Sequence, residues 1–147
     1  VRGEEVLAVD ELKVLIVDDE AEFLETLAKR LTKRKLQVTS STSGEDAIRI
    51  VKERPFDVVI LDVKMPGMDG IEALRQIKRI SPLVEVIMLT GHANVEVAIQ
   101  GMELGAFDYL MKPVDIDELL YKVQDAYKKK SIHEEKVRQI GDAAGLR

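Results

Sequence analysis

Four short apolar runs stand along the chain: Val14-Leu15-Ile16-Val17, Val58-Val59-Ile60-Leu61, Val84 to Leu89 with the single charge Glu85, and Phe107 to Met111 with Asp108. Runs of this length without polar alternation suit strands covered on both faces. Between them apolar residues recur at helical spacing, at Leu24, Leu27, Ala28 and Leu31, at Ile71, Leu74 and Ile77, and at Val95, Ala98, Ile99 and Met102. Each set predicts an amphipathic helix with one buried stripe. Ser43 with Asp46, Asp69 with Glu72 and Asp115 with Glu118 place a capping side chain three residues before an acidic one, marking helix starts. Gly105 and Ser81-Pro82 mark stops. A weaker strand, Leu36 to Ser40, carries Lys, Gln and Ser in and beside it and predicts a sheet edge. The last helix has its stripe at Ile116, Leu119, Leu120, Val123 and Tyr127, then meets Lys128-Lys129-Lys130 and loses it. Residues 129–147 therefore read as a polar helical tail or linker after a domain over 12–128, and 1–11 as an N-terminal extension.

Five strands alternating with five helices imply an α/β three-layer sandwich, with parallel strands joined by right-handed helical crossovers. The 147 residues suit one domain. No Cys is present, which removes disulfides, thiolate metal sites and a cysteine nucleophile, and two His make a histidine-rich metal site improbable. The net charge of -5, from 22 basic and 27 acidic residues, argues against direct nucleic acid contact by this chain. No apolar run approaches the roughly 20 residues of a membrane helix, and Val1 to Asp10 is too acidic for a signal peptide, so the expectation is a cytoplasmic protein without membrane contact.

In an open parallel sheet, ligands bind beyond the carboxyl ends of the strands. Those ends carry Asp18 and Asp19 after the first strand, Asp62 after the third, Thr90 after the fourth and Lys112 after the fifth. Two carboxylates ~4 Å apart repel by about 4 kcal/mol at an effective dielectric near 20, so the cluster needs a cation. Hard oxygen ligands without Cys or paired His point to Mg2+, which shares its shell with phosphate oxygens. The set reads as a phosphoryl-transfer site. Asp62 is the nucleophile, while Lys112 and Thr90 contact phosphoryl oxygens. Taken singly, each residue has a plainer role: Asp19 as a helix cap ahead of Glu22, Thr90 as a polar strand end, Lys112 as a solvated lysine, Tyr109 as a half-buried aromatic. Their convergence on one rim favours the site.

Val17-Asp18-Asp19, the segment Leu61-Asp62-Val63-Lys64-Met65-Pro66-Gly67-Met68-Asp69-Gly70, Leu89-Thr90-Gly91, and Tyr109-Leu110-Met111-Lys112-Pro113 together resemble a response-regulator receiver domain over residues 12 to 128. The resemblance implies a flavodoxin-like five-stranded sheet in the order 2-1-3-4-5. It implies that Asp62 accepts a phosphoryl group from a sensor histidine kinase or phosphotransfer protein. It further implies Mg2+ held by Asp18, Asp19, Asp62 and the backbone carbonyl of Lys64, a switch pair of Thr90 and Tyr109, and a cis bond before Pro113 that aims Lys112. Lys64 and His92 occupy positions that tune the lifetime of the acyl phosphate. Output would leave through the fourth helix, fifth strand and fifth helix, with Glu96, Glu103, Asp108 and Lys122 exposed there for an output domain or a homodimer. The chain would be a signalling phosphoacceptor that assists its own phosphorylation and dephosphorylation rather than an enzyme.

Two competing readings share the architecture. A haloacid-dehalogenase-type hydrolase typically has a second acid two residues after its nucleophile, where this chain has Lys64. A flavodoxin-like binder needs a Ser/Thr/Gly phosphate loop after the first strand, where this chain has Asp18-Asp19-Glu20. A P-loop enzyme is excluded because the Gly-x-x-x-x-Gly-Lys-Ser/Thr motif does not occur.

Overall fold

The apolar runs form strands β1 (Lys13–Val17), β3 (Val58–Asp62), β4 (Glu85–Thr90) and β5 (Asp108–Met111), with β2 spanning Gln37–Ser41. The helices between and after them are α1 (Ala21–Lys33), α2 (Gly44–Glu53), α3 (Gly70–Ile80), α4 (Val95–Glu103) and α5 (Ile116–Ala143). This is a computed structural model, and it describes residues 12–91 and 94–145. All strand pairs are parallel and the sheet order is β2-β1-β3-β4-β5, as the resemblance implies. The expected edge position of β2 is borne out, with the strand one residue later than the sequence suggests.

Side chains alternate across the sheet, and this alternation makes the three layers. Val14 and Ile16 point into a core built with Leu24, Leu27 and Leu31 of α1 and Leu119 and Val123 of α5. Leu15 and Val17 point into a second core with Ala47 and Ile48 of α2, Leu74 and Ile77 of α3 and Ala98 of α4. The caps fall where the sequence places them. Ser43 accepts from the Asp46 N–H, Asp69 from the Glu72 N–H, and Asp115 from the N–H groups of Asp117 and Glu118.

One helix, α4, differs from the sequence reading. In α4 only Ala98 and Gly101 are buried, while Ile99 is 49% and Met102 37% exposed. The helix packs through its small residues: a Cβ on Gly101 would already stand 3.3 Å from Met88 Cγ. That close approach turns the larger side chains of the expected stripe outward. In α5 the helix runs unbroken past Lys128 to Ala143, and residues 132–140 are exposed. No helix among the described residues is long and apolar enough to cross a membrane.

Candidate functional site

The parallel register delivers four strand ends to one edge of the sheet. Asp18 follows β1 directly, Asp62 and Thr90 are the last residues of β3 and β4, and Lys112 follows β5. Asp18 is fully buried, Asp62 is buried and Asp19 is exposed, and ligand oxygens of the three lie within 4.8 Å of one another. Lys112 Nζ stands 2.8 Å from Asp18 Oδ2, 3.1 Å from Glu20 Oε1 and 3.9 Å from Asp62 Oδ1. The bond from Lys112 to Pro113 is cis.

Asp19 does not cap α1. The N-cap residue is Glu20, which makes no side-chain capping bond, and Asp18 Oδ1 instead accepts from the Glu20 N–H at 2.9 Å. Buried Asp18 thus fixes the turn that holds Asp19 at the rim. Thr90 is fully buried and its hydroxyl donates to the Gly91 carbonyl at 3.0 Å. Tyr109 pairs in register with Met88, two residues before Thr90, so it lies on the same sheet face, half-buried against the core on the α2–α4 side. The Lys64 N–H makes a long 3.5 Å contact to Asp62 Oδ1, and the Lys64 side chain is exposed. His92 lies outside the described residues.

The electrostatics match a site built for added positive charge. Burial, then the neighbouring Asp18 carboxylate, pushes the Asp62 carboxyl up to about 7, with Lys112 pulling the other way. Burial works against the Lys112 ammonium too, but Asp18, Asp62 and Glu20 outweigh it and hold its pKa above the ordinary lysine value. One ammonium thus faces three carboxylates, and Asp19 adds a fourth to the cluster. An all-oxygen set with excess negative charge fits a divalent cation such as Mg2+, which Asp18, Asp19 and Asp62 would hold.

Glu20 and Phe23 escaped the sequence reading. Glu20 adds a second ion pair to Lys112, and the Phe23 ring centroid lies 4.4 Å from Lys112 Nζ. Both contacts join α1 to a residue some ninety positions away, which no local pattern reveals. On the expected output face, Glu96 and Glu103 are exposed as the sequence suggests. Asp108 and Lys122 are not: they are half-buried and pair with each other at 2.6 Å, so that expectation is corrected.

The family model for the response regulator receiver domain matches residues 14–124. The chain is 38% identical over 117 residues to the transcriptional regulatory protein ZraR of Escherichia coli O157:H7, covering 80% of this chain and 26% of ZraR. It is 40% identical over 111 residues to the DNA-binding transcriptional regulator NtrC of Klebsiella pneumoniae, covering 76% of this chain and 24% of NtrC. It therefore spans about a quarter of the length of these relatives. Among solved structures, a response regulator receiver domain protein from Clostridium thermocellum superposes with a TM-score of 0.79 at 38% identity, covering 82% of this chain and 98% of that one. These matches do not favour the hydrolase or flavodoxin-like readings. With the sheet order, the acidic rim and the cis Lys112-Pro113 bond in place, the chain belongs to the response-regulator receiver family.

Proposed function

We propose that Asp62 is the phosphoacceptor of a cytoplasmic two-component relay, with residues 12–128 as the receiver unit and 129–147 as a polar tail or linker. The observation that carries this reading is the placement of Asp62 between the acidic pair and the lysine: its ligand oxygen is within 4.8 Å of those of Asp18 and Asp19, and Lys112 is 3.9 Å away. A carboxylate oxygen of Asp62 forms a bond to phosphorus as the phosphorus–nitrogen bond of a phosphohistidine donor breaks, the electron pair going to the imidazole. The donor is a sensor histidine kinase or phosphotransfer protein. Mg2+, when held by Asp18, Asp19, Asp62 and the Lys64 carbonyl, supplies charge that favours the ionised Asp62 and offsets the phosphoryl oxygens. Lys112 neutralises a further phosphoryl oxygen. Lys64 and His92 tune how water reaches the acyl phosphate.

Thr90 can serve this group only by giving up its bond to the Gly91 carbonyl, and its movement vacates space on the sheet face that it shares with Tyr109. The pair is the proposed switch, read out on the α4-β5-α5 face by an output domain or a second copy. Exposed Ile99, Met102, Leu104 and Tyr121 on and beside α4 and α5 support that face as a contact surface. In this reading the chain assists its own phosphorylation and dephosphorylation without turning over a separate substrate. Mass spectrometry after treatment with acetyl phosphate and magnesium should find one phosphoryl group, on Asp62, lost in Asp62→Asn. Full phosphorylation of that variant would overturn the assignment.

A further inference from the structure

The α1 face bearing Phe23, Leu27 and Arg30, at i, i+4 and i+7, lies against the segment after β5 and lines one shallow cavity with Lys112, Pro113 and Ile116. Phe23 sits in the first turn of α1, half-buried and packed onto the α1–α5 core, so its ring is anchored from below. Lys112 Nζ stands over that ring at 4.4 Å from the centroid, well within the range at which the ring's negative face attracts an ammonium.

The other partners of Lys112 are anions with competing duties. Asp18, at 2.8 Å, belongs to the carboxylate cluster that fits a divalent cation, and Asp62, at 3.9 Å, is the proposed phosphoacceptor. Glu20, at 3.1 Å, has a side chain that is two-thirds exposed, where water and salt screen it. When a cation draws Asp18 away, the ammonium loses its shortest and most buried contact. A ring attracts the ammonium without accepting any of its three N–H groups and without competing for a metal, so it keeps its hold through that exchange, beside only the screened Glu20.

We infer that Phe23 is a positioning residue for the phosphorylation step, holding the Lys112 ammonium beside Asp62 when Asp18 turns to the metal. The inference rests on the proposed role of Asp62. The plainer role for Phe23 is core packing alone. Leucine keeps the apolar bulk and lacks the ring, whereas tyrosine keeps the ring, so the pair of variants separates the two roles.

The experiment compares wild type, Phe23→Leu and Phe23→Tyr, each at a temperature where circular dichroism shows it fully folded. The rate of phosphorylation by acetyl phosphate at saturating magnesium should fall roughly three- to tenfold in Phe23→Leu, the range that such a contact can supply, and return close to wild type in Phe23→Tyr. The magnesium dissociation constant should be the same in all three. In metal-free protein, the Lys112 ε-methylene proton resonances should lie upfield in wild type and Phe23→Tyr and lose that displacement in Phe23→Leu. A wild-type rate in Phe23→Leu, or equal losses in both variants, would overturn the inference. Failure of the Asp62 assignment would look different, since wild type itself would then carry no phosphoryl group at Asp62.

Discussion

Lys112 pairs more closely with Asp18 than with Asp62: its Nζ lies 2.8 Å from the first and 3.9 Å from the second. Asp18 is fully buried, and its other oxygen takes the Glu20 N–H, so the ammonium is its only cationic partner among the described ion pairs. A divalent cation held by this cluster would therefore share one buried carboxylate with Lys112.

Lys112→Met should leave that carboxylate buried without its cation. Losing one member of a buried pair costs about 3 to 5 kcal/mol, and the variant should be destabilised toward the lower end because Lys112 keeps some solvent contact. Magnesium should recover more stability in the variant than in wild type, since its charge replaces the missing ammonium. Urea unfolding with and without magnesium measures both. An equal magnesium effect in the two proteins would contradict the sharing of Asp18.

The Asp62 carboxyl, raised by burial and by Asp18 to about 7 from an ordinary 3.8, sets a pH dependence. Between those values the folded protein holds a proton that the unfolded chain has lost. Stability from this group is therefore full below the unfolded value and falls as pH rises through the window, by at most about 1.4 kcal/mol per pH unit, then levels off above the folded value. The amide that replaces the carboxyl in Asp62→Asn does not titrate. The stability of that variant relative to wild type should accordingly grow from about pH 4 to about pH 7 in metal-free buffer and stay flat beyond. A difference that does not change with pH would show that Asp62 ionises normally.

Gly70 allows α3 to begin against the backbone of the strand that carries Asp62. A Cβ there would stand 2.4 Å from the Asp62 carbonyl oxygen and 2.6 Å from Val63 Cα, both backbone atoms that cannot swing aside. Gly70→Ala should destabilise the fold by about 1 to 3 kcal/mol, the usual cost of overpacking. It should also slow phosphorylation of the folded fraction, because the relief moves the Asp62 strand end. Unchanged acetyl-phosphate kinetics in the folded variant would separate α3 packing from the site.

Most of this site could be read from the chain because its parts follow strand ends, and strand ends follow apolar runs. Asp18, Asp62, Thr90 and Lys112 each close such a run, so periodicity and the rule for parallel sheets suffice to bring them together. Phe23 could not be found this way, since its value depends on which face of α1 meets the turn after β5. The exposure of Ile99 and Met102 was hidden for a related reason. Helical spacing locates a stripe but not the depth of packing, and Gly101 sets that depth in α4. The Asp108–Lys122 pair joins β5 to α5 across fourteen residues, a contact that only the folded layers create.

Glu85 stands out in the same way at the other end of β4. Every residue of that strand is buried, and the first is a carboxylate only 2% exposed. Its Oε2 is 3.7 Å from Lys129 Nζ, and its Oε1 has no hydrogen-bond partner among the described residues. The nearby Lys78 does not make up the shortfall. Its Nζ donates to the carbonyls of Pro82 at 2.9 Å and Val84 at 2.8 Å, so it attracts Glu85 only at longer range, and burial still pulls its pKa below the usual lysine value against the Glu85 charge. A buried carboxylate whose one described ion pair is long and half-exposed is a cost to the fold, and an apolar replacement of similar size removes it. Glu85→Met should raise stability by about 1 kcal/mol, while Lys129→Met should lower it by about 1 kcal/mol by stranding the carboxylate. In the double variant the Lys129 substitution should cost almost nothing, because the group it served is gone. Thr90 lies at the opposite end of the strand, so phosphorylation kinetics should be unchanged in all three. Urea unfolding of the four proteins completes the cycle, and a Lys129→Met penalty that persists in the Glu85→Met background would show that the lysine acts on the helix and not on the buried acid.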